Sequence, residues 1–367
     1  MGMTRRERLL APFRGVKPDR PAWLADLSYW HEAAASAGTL ADRYRGTEGC
    51  KLLHEDLGVC YYYDYSSRIF DCSFNAVDFA VVETPGERRK SWRTPAGEIS
   101  EHWRYLESAR CWAHDSYAVK SREDLRVLLD VWEGTRFLAC PDVYPRLDAW
   151  IGDAGLPIAP APRSPVPALL ADWCGVEGTV FLMADHEDLV GEILAAIDKA
   201  NDTAFEALTE SPCELVHFCD NLDSSASTPF FDRWMREYYE KRVAQLHRAG
   251  KFAAVHLDGR VRGLLPLLAG CGFDAVESIT PAPVGDVKIE ELRALAGNGK
   301  TIIWGGVPGA MFCTPWNAGD VRRHTTRLLE TLGSDGRLIV GSADQVPPNG
   351  DTGYCRLIAD ILEGWAP

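Results

Sequence analysis

A chain of 367 residues, 46% hydrophobic and 10% aromatic, has ample apolar surface for one large core or two ordinary ones. Its formal charge of -14 argues against nonspecific binding to nucleic acid or anionic membrane, while leaving room for a local basic pocket. No window approaches a membrane-spanning apolar run, and MGMTRRERLL has no apolar stretch behind its charges, so a cytoplasmic protein without a cleaved signal is expected.

In chain order, PAWLAD (21–26) reads as a first strand and GVCYYYD (58–64) as a second. Between 64 and 113 the segments VDFAVVETPGE and KSWRTPAGEISEHWRY predict a hairpin-rich excursion. LPIAPAP (156–162) supplies a third strand. Five strand–helix units follow. CELVHF leads into FFDRWMREYYEKRVAQLHRAG, KFAAVHLDG into GLLPLLAGCG, and DAVESIT into KIEELRALAG. TIIWGGV leads into a segment ending in LLETLG, and LIVGSAD into GYCRLIADILEGW. Strands alternating with helices mean a parallel sheet, and eight of them predict a (β/α)8 TIM barrel. No linker or repeat divides the chain, so 1–367 is expected to be one domain with 64–113 as a β-hairpin insertion.

In such a barrel the chemistry sits at the C-terminal strand ends. Asp26 ends the first, near Tyr29 and Trp30; Asp64 and Tyr65 end the second; Asp172 and Trp173 follow the third. His217, Cys219 and Asp220 end the fourth, His256 and Asp258 the fifth, and Glu277 the sixth; Trp304 lies in the seventh and Asp344 closes the eighth. Residues i and i+2 of a strand share a face, so His256 and Asp258 are expected to reach the barrel mouth together, with Glu277 beside them. An imidazole among carboxylates is either a divalent-metal site or an acid/base cluster. Burying several carboxylates without a cation is costly, which favours a metal or a cationic substrate. Asp258 before Gly259 could equally cap the next turn, and Tyr29, Trp30, Trp173 and Trp304 either line a substrate pocket or pack in the core. The eleven cysteines show no CxxC or metal-knuckle spacing and read as reduced thiols. Phosphate-loop, dinucleotide-binding, nucleophile-elbow and HExxH motifs are absent.

The run from His256 through GLLPLLAGCGFDAVESITPAPVGDVKIEELRALAGNGKTIIWGGVPG to VGSADQVPPNGD resembles the uroporphyrinogen decarboxylase superfamily. PDRPAWLAD, RTPAGEI and DHEDLV extend the likeness weakly over the rest. That superfamily contains decarboxylases and zinc-dependent methyltransferases that work with corrinoid proteins, and its fold is the (β/α)8 barrel. The decarboxylase branch carries an arginine motif after the first strand, where this chain has WLADLSYW, so porphyrinogen decarboxylation is not expected. The thiol-activating methyltransferases bind zinc through His-x-Cys and a late Cys. Here the pair is His256-Leu257-Asp258, and the late position falls near Asp344.

Carboxylates in place of thiolates suit a more Lewis-acidic metal. The resemblance therefore implies a divalent metal, zinc by analogy, held by His256, Asp258 and Glu277, with Asp344 as a fourth ligand or orienter. His217 and Asp220 would serve the leaving group, and Asp26, Tyr29 and Trp30 the substrate wall. The expected reaction moves methyl between a small methylated ether or other heteroatom–methyl compound and a corrinoid on a partner protein, since the chain has no DxHxxG signature of its own. The resemblance is compatible with a monomer or a homodimer. Two alternatives stand beside it: a corrinoid-free decarboxylase or lyase using the same cluster for acid/base work, and a catalytically silent barrel that binds a ligand.

Overall fold

The computed structural model describes residues 2–62, 68–107, 110–297 and 299–365. Asp64 and Tyr65, expected at the second strand end, lie outside the described residues. Thirteen strands are assigned among the described residues: β1 (Trp23–Asp26), β2 (Phe70–Phe74), β3 (Asp78–Thr84), β4 (Glu87–Thr94), β5 (Gly97–Leu106), β6 (Cys111–Ser116), β7 (Thr135–Ala139), β8 (Ala159–Pro160), β9 (Leu215–Leu222), β10 (Phe252–Leu257), β11 (Ala275–Ile279), β12 (Ile302–Pro308) and β13 (Leu338–Gln345). Seven form one curled parallel sheet in the order β1, β13, β12, β11, β10, β9, β8. Helices Arg236–Arg248, Leu265–Gly270, Ile289–Ala296 and Ala318–Leu332 make the crossovers from β9 to β13, and Gly353–Glu363 follows. The five strand–helix units of the second half are thus present.

The second and third expected strands are short. Cys60 bridges Leu24 and Tyr61 bridges Gly155, both parallel, and β8 has two residues. The amide of Cys60 donates to the Trp23 carbonyl at 2.8 Å, and that of Leu156 to the Tyr61 carbonyl at 3.0 Å. Pro157, Pro160 and Pro162 remove three amide donors from LPIAPAP, which limits the ladder there. The excursion is a four-stranded antiparallel sheet, β3 to β6 in chain order, running to Ser116. A separate pair joins β2 to β7 antiparallel, a long-range contact that strand patterning in either segment does not specify.

The two-residue period of the strands sorts their side chains. Leu24, Leu215, Ala254, Ala275, Ile302, Trp304 and Ile339 form one buried cluster on the concave side of the sheet. Their neighbours Val216, Phe218, Val255, Val276, Ile303 and Val340 pack in the larger core that includes the helices. The same parity puts His217, His256 and Glu277 on the concave side, one step toward the strand ends.

The ladders bulge near those ends. Register shifts occur between Val255 and Leu257 on β10 and between Val276 and Ile279 on β11. Asn221, Ser278 and Asp344 have φ of 51, 65 and 60°, a left-handed region that side chains other than glycine seldom occupy. Three such residues at the ends of β9, β11 and β13 mark this rim as the strained part of the sheet.

Candidate metal centre

Three adjacent strands converge on one carboxylate. His256 and Glu277 are direct partners across β10 and β11, and His256 Nδ1 lies 2.5 Å from Glu277 Oε2. From β9, His217 brings Nε2 to 3.3 Å from the same oxygen. One ligand atom from each of the three lies within 4.8 Å of the others. The His217 and Glu277 side chains are 4% and 3% exposed, and that of His256 is 12% exposed.

The electrostatics are those of a buried ion cluster. Burial pushes the Glu277 carboxyl up, but the two imidazoles beside it outweigh that effect and hold it at about 2. Burial opposes charge on His217, yet the Cys219 sulfur and the Glu277 carboxylate raise it to about 10. His256 is likewise raised, with Glu277 overcoming burial. Cys219, whose Sγ lies 3.3 Å from His217 Nδ1, is pushed up by burial and pulled below its usual value by His217.

Despite its closeness to Glu277, His217 Nε2 is buried without an aligned hydrogen bond. A shared oxygen and two converging nitrogens, one of them unsatisfied, fit a bound cation better than a closed hydrogen-bonded network. Two imidazoles and a carboxylate are also a donor set that zinc accepts.

In the metal-free protein, these shifts predict stability on a plateau between two losses. Glu277 stabilises the fold above its ordinary value of 4.5, and that contribution disappears as pH falls toward 2. His217 contributes fully below 6.5 and loses its contribution as pH rises toward 10. Urea unfolding across pH, with chelator present, is expected to show both declines.

The other expected site residues occupy different places. Asp258 lies just past the end of β10, exposed, with its amide bonded to the Leu222 carbonyl at 2.8 Å. With Asp344, Asp223, Thr280 and Gln345 it lines a cleft of about 700 Å3 at the strand ends. Asp344 is anchored through its amide to Ser278 Oγ at 2.7 Å. Asp26 is buried, accepting from the Ser28 amide at 2.8 Å and from Gln345 Nε2 at 3.2 Å. Burial pushes its carboxyl up to about 6.

Asp220 is buried with both oxygens occupied, by the Ser164 amide at 2.9 Å and the Tyr239 hydroxyl at 2.8 Å. It ties β9 to the loop after β8 and to helix Arg236–Arg248. Asp220→Ala leaves two buried donors unpaired and is expected to cost about 2–4 kcal/mol, read from the urea midpoint.

Tyr29 and Trp30 line a neighbouring groove of about 590 Å3, where Trp30 Nε1 donates to the Gly350 carbonyl at 3.0 Å. Trp173 is packed against Trp92 and Trp132 at centroid distances of 4.8 and 6.1 Å. Trp304 is buried inside the sheet against Tyr62, with its ring 6.3 Å from that of His217. Cys219 joins the cluster through His217, and the His-x-Cys spacing of the two on one strand is the sequence signal for it.

A curled seven-stranded parallel sheet with helical crossovers, carrying its polar cluster toward the C-terminal strand ends, defines an α/β protein built on a half-barrel. Residues 169–362 match the sequence model described as "Uroporphyrinogen decarboxylase (URO-D)", and the chain belongs to that family. Its fold is similar to that of a methyltransferase from Methanosarcina mazei, with a TM-score of 0.61 over 99% of each chain at 13% identity. None of the curated proteins matches the chain.

Proposed function

We propose that this protein is a metal-dependent methyltransferase, moving methyl between a small methylated ether or other heteroatom–methyl compound and a corrinoid carried by a partner protein. One observation carries the reading: His217, His256 and Glu277 converge in a buried cluster with an unsatisfied ring nitrogen. Those three residues would hold the ion, zinc by its donor set, and leave room for a further donor. Bound there, the ion supplies Lewis acidity to the heteroatom that releases the methyl group.

The remaining roles belong to the chain. Asp258 and Asp344 present carboxylates to the cleft in which the substrate would lie. Gln345, held by Asp26, shapes the same wall. Trp304 supports His217 from within the sheet and excludes water from that side. The parallel bridges at Cys60 and Tyr61 support a complete (β/α)8 barrel with this segment as its eighth strand, in one domain spanning 1–367.

A second reading, a corrinoid-free decarboxylase or lyase, is favoured by the direct contact of His256 Nδ1 with Glu277 Oε2 at 2.5 Å, a carboxylate–histidine pair suited to acid/base work. Elemental analysis of the purified protein together with cob(I)alamin as methyl acceptor separates the two. The methyltransferase reading expects about one divalent ion per chain and formation of methylcobalamin from a methyl ether. An ion-free protein, or methyl transfer unchanged in His256→Ala, would overturn it.

A further inference from the structure

Cys219 brings a sulfur to the centre, but on the far side of an imidazole. Its Sγ lies 3.3 Å from His217 Nδ1, whereas His217 Nε2 is turned to Glu277 Oε2 at 3.3 Å. The two nitrogens of an imidazole point in nearly opposite directions. A cation shared by Nε2, Glu277 and His256 therefore lies beyond the reach of this sulfur. Strand alternation explains the placement, because residues 217 and 219 share a face of β9.

We propose that Cys219 is a positioning residue of the metal centre: His217 Nδ1–H donates a hydrogen bond to its sulfur, which fixes the tautomer that presents Nε2 to the ion. This rests on the metal reading above. A ligating histidine is generally oriented by a hydrogen bond from its other ring nitrogen, most often to an oxygen. Here the acceptor is sulfur, long-bonded and soft, two residues along the same strand. The backbone of β9 holds donor and acceptor together, so ring orientation is set before any ion arrives.

The test uses full-length protein stripped of metal. Zinc affinity is measured by competition with a chromophoric chelator, and the cobalt(II) form by absorption. Cys219→Ala is expected to weaken zinc binding about 10- to 100-fold, while Cys219→Ser, which retains an acceptor, recovers most of the loss. The wild-type cobalt form is expected to lack an intense near-ultraviolet thiolate-to-metal band. Circular dichroism checks folding, and if the alanine variant unfolds, Cys219→Val serves as the variant without an acceptor.

Unchanged affinity in the acceptor-free variant, or failure of serine to restore it, overturns the role of Cys219 and leaves the metal reading standing. A thiolate band that vanishes in Cys219→Ser makes the sulfur a ligand and overturns the positioning role. A wild-type protein that binds neither ion overturns both readings.

Discussion

Glu277→Ala is expected to abolish divalent-metal binding and to destabilise the protein by about 3–5 kcal/mol near pH 5. The carboxylate is 3% exposed and its Oε2 faces both His256 and His217, so its removal leaves two imidazoles without their shared counter-charge. Those imidazoles can shed their protons, which makes the loss depend on pH. In the wild type Glu277 raises both histidines; in the variant that support is gone, only the Cys219 sulfur still opposes burial, and the balance moves toward the neutral forms. The destabilisation is therefore expected to shrink as pH rises to 8. Urea unfolding at pH 5 and 8, with metal content measured on the same samples, checks both parts. A penalty that is small at pH 5, or that does not depend on pH, would show that the three groups do not form a coupled cluster. Glu277→Gln keeps the shape and removes the charge, and is expected to lose the ion while retaining more stability than alanine.

The second large effect is expected at Trp304. Its side chain is 1% exposed and lies on the concave side of the sheet with Leu24, Leu215 and Ile302, its ring 5.3 Å from that of Tyr62. Cutting a buried tryptophan to alanine costs about 3–5 kcal/mol, because rigid strands on every side cannot collapse into the cavity. His217 stands above this ring, so Trp304→Ala is also expected to weaken zinc binding as the imidazole gains freedom to tilt. Trp304→Phe refills most of the space and is expected to restore most of the stability. Chemical unfolding and zinc titration of the two variants measure both effects; a loss below about 1 kcal/mol would contradict a close-packed sheet interior.

Both predictions depend on how β9, β10 and β11 sit side by side. The alternation in AAVHL and AVES already places His256 and Glu277 on one face, and the succession of strand–helix units already places those strands in one parallel sheet. Cluster membership is a different matter. Asp258 shares the parity of His256, yet β10 ends at Leu257 and Asp258 stands exposed at the cleft. Sequence spacing carries no information about where a ladder bulges or stops. The sequence places His217 beside the leaving group; its distance to Glu277 depends on the offset between β9 and β10, where Ala254 rather than His256 is the direct partner of His217. Asp220, next to the cluster in sequence, turns to the opposite face and clips Ser164 to Tyr239.

By itself, then, the sequence determined the class of fold, the family, and which polar residues lie at strand ends, because hydrophobic period and strand–helix succession are local properties of the chain. Only the tertiary structure decided that His217, His256 and Glu277 meet, that Asp258 and Asp344 line the cleft outside that tight group, and that the Cys219 sulfur sits behind a ring. Those outcomes depend on register between separate strands and on backbone reversals at Asn221, Ser278 and Asp344. Inter-strand hydrogen bonds and packing set them, and no single segment encodes them.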